Sequence, residues 1–267
     1  MGYTNLYESL RLHRGSVFAP REVTPGMPCV LYFPGCGGSL FYDRIGLAAI
    51  MLLLHTGHAV AVPPRHLCCG YPLLAAGMDT EYEDNMAQNR QYLASMLRNL
   101  AKQGFDVRYL ATACGSCRDS LARMKLNEQF PQLEQKDVSQ IVLPLLQHES
   151  MEAPVAPGTS VLYHAACHCE WAGVPTLKGQ SQLTGALEQL CKVKVTTIPG
   201  CCGESGMGAV TSPTIYNLLR ARKKERLARA FEPQPQTGAC YAGPILVGCP
   251  SCKIGIARCL IQLKEKH

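Results

Sequence analysis

Short apolar runs alternate along the chain with longer segments whose apolar positions recur every three or four residues. Such runs are typical of buried strands, and such segments are typical of helices packed on them. The predicted strands are 29–33, 59–62, 107–112, 161–165, 193–198 and 245–248. The predicted helices are 39–55, 81–103, a segment around 183–190, and 212–230. Alternating strands and helices predict an α/β fold with parallel sheets and right-handed crossovers.

Cysteine spacing indicates that the two halves are copies of one repeat. Each half has a lone cysteine, then Cys-Cys-Gly, then Cys-x-x-Cys. The ten residues are Cys36, Cys68, Cys69, Cys114 and Cys117, then Cys167, Cys201, Cys202, Cys249 and Cys252. Equivalent cysteines lie 131 residues apart for the lone cysteine (36 to 167), 133 for the first of the pair (68 to 201) and 135 for the start of Cys-x-x-Cys (114 to 249). Such constancy is typical of a duplication, and each half is predicted to build one polynuclear metal site.

Each cysteine group follows a predicted strand, and this places the site. Loops at the carboxyl ends of parallel strands converge on one crevice, so the three groups of one half are expected to meet. We therefore expect two tandem Rossmann-like domains related by a pseudo-two-fold, at residues 29–150 and 160–267. A linker rich in proline and small residues separates them at 148–160. Residues 1–28 form an N-terminal arm expected to pack on a partner or on the domain surface.

Composition narrows the class of protein. The 267 residues are 47% hydrophobic with a net charge of +6, too mild a charge to predict nucleic-acid binding. An odd count of 15 cysteines and an amino terminus without a signal-peptide pattern argue against a disulfide scaffold. The most apolar stretch, from Ile45, is broken by His55, Gly57 and His58 before it reaches membrane-spanning length. These features predict a cytoplasmic protein, free or peripheral on a membrane complex, with no transmembrane segment.

Thiolates are the usual ligands of iron–sulfur clusters, and a Cys-x-x-Cys pair at a helix start sits where backbone N–H groups favour the charged form. Zinc bound by four of the five thiols at a site remains an alternative. The adjacent cysteines count against zinc, because both binding one zinc ion would strain a short turn.

These motifs resemble a known family. The twice-repeated pattern, with PGC at Cys36, CCGYP at Cys68, YHAACH around Cys167 and CCGESG at Cys201, is similar to the cysteine-rich CCG domain. That domain occurs in the disulfide-active subunit of heterodisulfide reductase and in iron–sulfur subunits of glycolate, lactate and glycerol-3-phosphate dehydrogenases. The resemblance runs from Cys29 to about Cys259. It implies two [4Fe–4S] clusters, non-cubane in form, each held by the five repeated cysteines of one half.

The resemblance also implies two alternative functions. The first is that of the disulfide-active subunit of a heterodisulfide-reductase-like complex, active only with its partner subunits, which exchanges electrons with a thiol or disulfide substrate. The second is a purely electron-transferring subunit of a flavin-dependent lactate or glycolate dehydrogenase. Complete cysteine sets in both halves favour the first. Because the chain lacks a CxxCxxC ferredoxin module, its partners are expected to be a flavoprotein, a ferredoxin-like iron–sulfur subunit, or both.

The chain departs from the family motif at one point, and several other residues give weaker indications of a role. The family motif often has Asp-Pro where this chain has Ala165 and Ala166, so any role of that acid is absent. No catalytic residue is assigned. His164, His168 and Glu204 are candidates to support the clusters from nearby, with loop-ordering or solvent-exposed roles as the alternative. The basic run at 220–229 is predicted to be a solvated helix face. Cysteines outside the repeat are predicted to be buried small apolar residues, with Cys169 the exception to watch; these are Cys29, Cys169, Cys191, Cys240 and Cys259.

Overall fold

Two sheets, each in its own compact unit, organise this computed structural model. It describes residues 5–11, 16–146, 156–168, 171, 173–204, 211–232 and 240–264. Described residues up to 146, with 171 and 173, form the first unit; those at 156–168 and from 174 onward form the second unit. Residues 171 and 173 thus lie in the first unit, although they fall inside the range 160–267 predicted for the second domain. Residues 147–155 of the linker lie outside the described residues, so the domain bounds stay a prediction.

A five-stranded sheet forms the centre of the first unit. Its strands are β1 (Ser16–Phe18), β2 (Pro28–Tyr32), β3 (Ala59–Val62), β4 (Asp106–Thr112) and β5 (Glu134–Asp137). They lie in the order β1-β3-β2-β4-β5, and every pairing is parallel except that of β1 with β3. All four residues of β3 are buried, as expected for a central strand covered on both faces.

The N-terminal arm contributes to this unit in two ways. Strand β1 extends the sheet by pairing antiparallel with β3. The short helix α1 (Leu6–Ser9) is capped by the Asn5 side chain and buries Leu6 completely. The arm therefore packs on the first domain, one of the two placements that the sequence left open.

Helices connect the strands of the first unit and cover its sheet. They are α2 (Asp43–His55), α3 (Tyr71–Ala75), α4 (Asp79–Lys102), α5 (Gly115–Arg123) and α6 (Val138–Leu146). A π-helical turn at Gly37–Phe41 precedes α2, so the helix predicted over 39–55 begins at Asp43. The apolar stretch from Ile45 lies mostly in α2, whose buried positions Ala49, Ile50 and Leu53 join the core.

The second unit repeats the central part of this plan. Its elements are β6 (Ser160–His164), α7 (Thr176–Cys191), β7 (Lys194–Ile198), α8 (Pro213–Phe231), β8 (Ile245–Val247) and α9 (Pro250–Lys264). The sheet order is β7-β6-β8 with parallel pairing throughout. This order matches β3-β2-β4 of the first unit, strand for equivalent strand.

The predicted fold class, tandem Rossmann-like α/β domains with parallel sheets, is thereby confirmed. The predicted pseudo-two-fold between the domains stays a prediction. No helix in the described part of the chain is both long and apolar enough to span a membrane.

Candidate metal centres

Three strand ends bring the cysteines of the first half together. Cys36 follows β2, and Cys68 and Cys69 follow β3. Cys114 caps the N-terminus of α5 directly after β4, and Cys117 lies in the first turn of that helix. Because parallel strands end at the same edge of the sheet, residues distant in sequence meet there.

The five thiols of this first site contact one another in series. The Cys36 thiol donates to the Cys68 sulfur over 3.7 Å. Cys68 hydrogen bonds to Cys69, Cys69 to Cys117, and Cys117 to Cys114. All five sequence-predicted residues therefore belong to one cluster of side chains.

The second site repeats this series residue by residue. Cys167 hydrogen bonds to Cys201, Cys201 to Cys202, Cys202 to Cys252, and Cys252 to Cys249. Cys249 directly precedes α9, and Cys252 lies in its first turn. The duplication seen in the spacing thus extends to the contacts between side chains.

The first thiol of each adjacent pair accepts a hydrogen bond from a backbone N–H. The Gly70 N–H donates to Cys68 Sγ over 3.5 Å, and the Gly203 N–H donates to Cys201 Sγ over 3.3 Å. Hydrogen bonds from Cys36 and Cys69 lower the pKa of the Cys68 thiol, and those from Cys167 and Cys202 lower the pKa of Cys201 in the same way. Each site is therefore arranged to stabilise a thiolate.

Each site is open at one edge. The lone cysteine and the first of the adjacent pair are half-buried, or exposed in the case of Cys167, while the second of the pair and the Cys-x-x-Cys thiols are buried. Among the described residues, the exposed part of the thiol surface therefore lies on the side of Cys36 and Cys68 at the first site, and of Cys167 and Cys201 at the second.

Two buried polar side chains adjoin the second site. His164, at the end of β6, is fully buried, and one of its ring nitrogens lies within 4.8 Å of the Cys202 and Cys252 sulfurs. Its Nδ1 contacts Lys223 Nζ at 2.9 Å. Burial, followed by the charge of Lys223, lowers the pKa of His164 to about 4, so the imidazole is neutral near pH 7.

Lys223 corrects a prediction from the sequence. The basic run at 220–229 was expected to be a solvated face. Arg222, Arg226 and Arg229 are exposed as expected, but Lys223 is 0% exposed. It shares the buried stripe of α8 with Tyr216 and Leu227. The sequence feature that could have predicted its burial is the helical spacing of Lys223 from these two apolar-face residues. Burial lowers the pKa of Lys223 to about 8, and the nearby Cys202 opposes that shift.

The first site has its own buried polar neighbour, which the sequence analysis missed. Tyr32 ends β2, as His164 ends β6, and it is fully buried near Cys117 and Cys114. Burial raises the pKa of Tyr32, so its hydroxyl keeps its proton. Two sequence features could have predicted this position. Tyr32 ends an apolar strand, and it lies 132 residues before His164, which matches the spacing of the cysteine repeat.

Of the other two supporting candidates, Glu204 has a defined set of contacts. Its side chain is 9% exposed and forms an ion pair with Arg258 at 2.8 Å, and it also accepts from the Tyr216 hydroxyl at 3.3 Å. Glu204 therefore ties the Cys201–Cys202 loop to α8 and α9. The alternative given for it, a solvent-exposed carboxylate, is wrong. Its backbone N–H donates to Cys202 Sγ over 3.4 Å. His168 is half-buried.

Cysteines outside the repeat differ in their environment. Cys29 and Cys259 are buried as predicted, Cys191 is half-buried, and Cys240 is exposed. The prediction is therefore wrong for Cys240. Cys169 lies outside the described residues.

The side chains present fit an iron–sulfur cluster in each half. Five thiols in contact exceed the four ligands of a tetrahedral zinc site. The Tyr32 hydroxyl and His164 Nε2 are buried polar atoms without a hydrogen-bond partner among the described residues. The Tyr32 hydroxyl interacts electrostatically with Cys117 and Cys114, and a ring nitrogen of His164 lies within 4.8 Å of the Cys202 and Cys252 sulfurs. Buried donors of this kind normally have an acceptor. Cluster sulfur would provide one at each site.

Comparisons with known proteins agree with this geometry. Over 206 residues the chain is 24% identical to lactate utilization protein A of an Exiguobacterium species, covering 71% of this chain and 76% of that protein. It is 26% identical over 212 residues to lactate utilization protein A of Geobacillus thermodenitrificans, covering 74% and 81%. The family description "Cysteine-rich domain" (CCG) matches twice, at residues 30–122 and 161–257. With one match in each half, over most of its length, the chain belongs to the CCG cysteine-rich domain family.

Proposed function

We propose that each unit binds one [4Fe–4S] cluster, of the non-cubane form that the family resemblance implies. The proposed ligands are Cys36, Cys68, Cys69, Cys114 and Cys117 in the first unit, and Cys167, Cys201, Cys202, Cys249 and Cys252 in the second. The observation that carries this proposal is the same series of five contacting thiols at both sites. When bound, the clusters supply one-electron transfer.

We further propose that the chain is the electron-transferring subunit of a complex that oxidises a 2-hydroxy acid such as lactate. The relatives named lactate utilization protein A support this function over the heterodisulfide-reductase-like one that the sequence ranked first. Such an oxidation to the 2-oxo acid releases two electrons and two protons. A flavin on a partner flavoprotein takes both electrons, and this chain passes them singly to a ferredoxin-like iron–sulfur subunit.

The chain's own residues have two tasks in this proposal. The buried thiols hold each cluster away from water, and the half-open edge at Cys36 and Cys68, or at Cys167 and Cys201, lets a redox partner come close. Thiolates of this kind persist in a reducing compartment, so we propose a cytoplasmic protein, free or peripheral on a membrane complex.

A second candidate function is reduction of a small disulfide. Complete five-cysteine sets in both units favour it, because the open edge that admits a partner would equally admit a substrate sulfur. In that case two electrons and two protons convert one disulfide to two thiols.

Metal analysis tests the proposed cofactors. Protein purified without oxygen should be brown and contain about eight irons and matching acid-labile sulfide per chain, as expected for two four-iron clusters. Stoichiometric zinc without iron or sulfide would overturn this part of the proposal.

Two assays on the iron-loaded protein separate the functions. Extract of a host strain lacking this gene should lose lactate-dependent dye reduction, and the purified protein should restore it. Reduced viologen with a small disulfide should give no turnover above that of the cluster-free protein. Disulfide turnover without restoration of lactate-dependent reduction would favour the second candidate and overturn the first.

A further inference from the structure

Lys223 is a buried cation whose hydrogen-bond partners in the described chain include no carboxylate. Its ammonium contacts three acceptors: His164 Nδ1 at 2.9 Å, the Pro199 carbonyl at 2.8 Å and the Ile198 carbonyl at 3.4 Å. An ammonium has three N–H donors, so these contacts satisfy it fully. They do not neutralise its charge, and a buried charge is costly unless an opposite charge lies close by.

The contact with Lys223 fixes the proton of His164. Because Nδ1 accepts from the ammonium, the neutral imidazole carries its hydrogen on Nε2. Nε2 is buried and has no partner among the described residues. The Cys202 and Cys252 sulfurs lie within 4.8 Å of a nitrogen of this ring. With Nδ1 in contact with Lys223, the Nε2–H is the ring donor left for sulfur of a cluster bound at the second site.

The buried charged and polar groups near the first site differ from those near the second. Tyr32 takes the place of His164 at the equivalent strand end, and its neutral hydroxyl lies near Cys114 and Cys117. Among the described residues of the first unit, the buried charged side chain is Asp137, close enough to Tyr32 to raise the pKa of its hydroxyl. Near the second site the carboxylate of Glu204 is paired with Arg258, so Lys223 is the buried charge there whose partners among the described residues include no carboxylate. The buried charged group near Tyr32 of the first site is instead acidic.

Reduction adds negative charge to a cluster, so a nearby cation and an N–H donor to sulfur both favour the reduced state. We propose that Lys223 and His164 are positioning residues that raise the reduction potential of the second cluster above that of the first. This inference rests on the proposed function, since it requires a redox-active cluster at each site. Lys223 supplies the charge and holds His164, and His164 delivers the hydrogen bond.

The order of the two potentials in the unaltered protein is the first test. Redox titration followed by electron paramagnetic resonance should give two potentials, assigned by the signal that is lost in Cys69→Ser or Cys202→Ser. The second cluster should have the higher value. The reverse order would overturn the proposal. Absence of iron would instead defeat the proposed function and would appear in the metal analysis before any titration.

Substitution of the pair is the second test. Lys223→Met removes the charge at similar volume and should lower the reduction equilibrium constant of the second cluster at least tenfold, about 59 mV for one electron. The first cluster and the iron content should not change. Lys224→Met removes the same charge one residue along α8, from a half-buried side chain, and is the matched control. An equal shift in both variants would overturn the proposal.

A double substitution tests whether the effects of Lys223 and His164 on the second potential are coupled. His164→Leu should shift the second potential in the same direction. Lys223→Met with His164→Leu should shift it by less than the sum of the two single shifts, because Lys223 acts in part through His164. Strict additivity contradicts the coupling. Loss of iron in His164→Leu but not in Lys223→Met would make His164 a cluster ligand and would equally contradict it.

Discussion

Replacing Gly35 with alanine should remove the first cluster while leaving the second intact. Gly35 has a φ of +58°, and a Cβ built there lies 2.7 Å from Cys117 Sγ. Restoring an ordinary contact of 3.4 Å displaces the sulfur by about 0.7 Å. Functional groups must stay within about 0.5 Å of their working geometry, and metal–ligand distances within about 0.2 Å. Cys117 should therefore fail as a ligand.

The backbone strain of this substitution can be matched in a control. Gly57 has a φ of +85°, and a Cβ there meets nothing within 4 Å. A left-handed alanine costs about 1–2 kcal/mol at either position. Crowding against Cys117 adds about 1–3 kcal/mol at Gly35 alone. Urea unfolding of the cluster-free, thiol-reduced protein should show this difference.

Iron and acid-labile sulfide per chain are the deciding measurements. Gly35→Ala should hold about half the iron of the unaltered protein, because only one of two four-iron sites is lost. Gly57→Ala should hold all of it. Full iron in Gly35→Ala with an unaltered spectrum would refute the inference that Cys117 is a ligand held in place by close packing on Gly35.

Other changes separate ligands from supporting residues. Cys202→Ser should lose the iron of the second site, because oxygen is a harder and poorer ligand than sulfur in a sulfide-rich centre. Cys259→Ser should keep all the iron and lose about 1–3 kcal/mol of folding stability. The reverse result in metal analysis would contradict the assignment of Cys202 as a ligand. Glu204→Gln should weaken the ion pair with the 49% exposed Arg258, cost about 1 kcal/mol in urea unfolding and leave the iron content unchanged. Removing iron with a chelator should lower the melting temperature in calorimetry, because binding to folded sites adds directly to stability; an unchanged temperature would mean that the sites contribute nothing to folding.

Much of the fold could be predicted from local pattern. Continuous apolar runs and period-3.6 patterns reflect burial along single strands and helices, and the runs placed the central strands of both halves near their observed bounds. Strand β5, with the polar sequence EQKD, has no such pattern and was missed. Strand β1 was missed because three residues of an edge strand are too short a signal.

The sequence also determined which cysteines belong together, since equal spacing in two copies does not depend on any contact. It did not determine which other side chains lie beside the two cysteine sites. The pairing of Lys223 with His164 joins residues 59 positions apart through the packing of α8 beside the end of β6. Basic residues at helical spacing predict a solvated face, because the sequence does not show whether a buried acceptor packs against one of them. The tertiary structure places the acceptor His164 beside Lys223 and near the sulfurs of the second site.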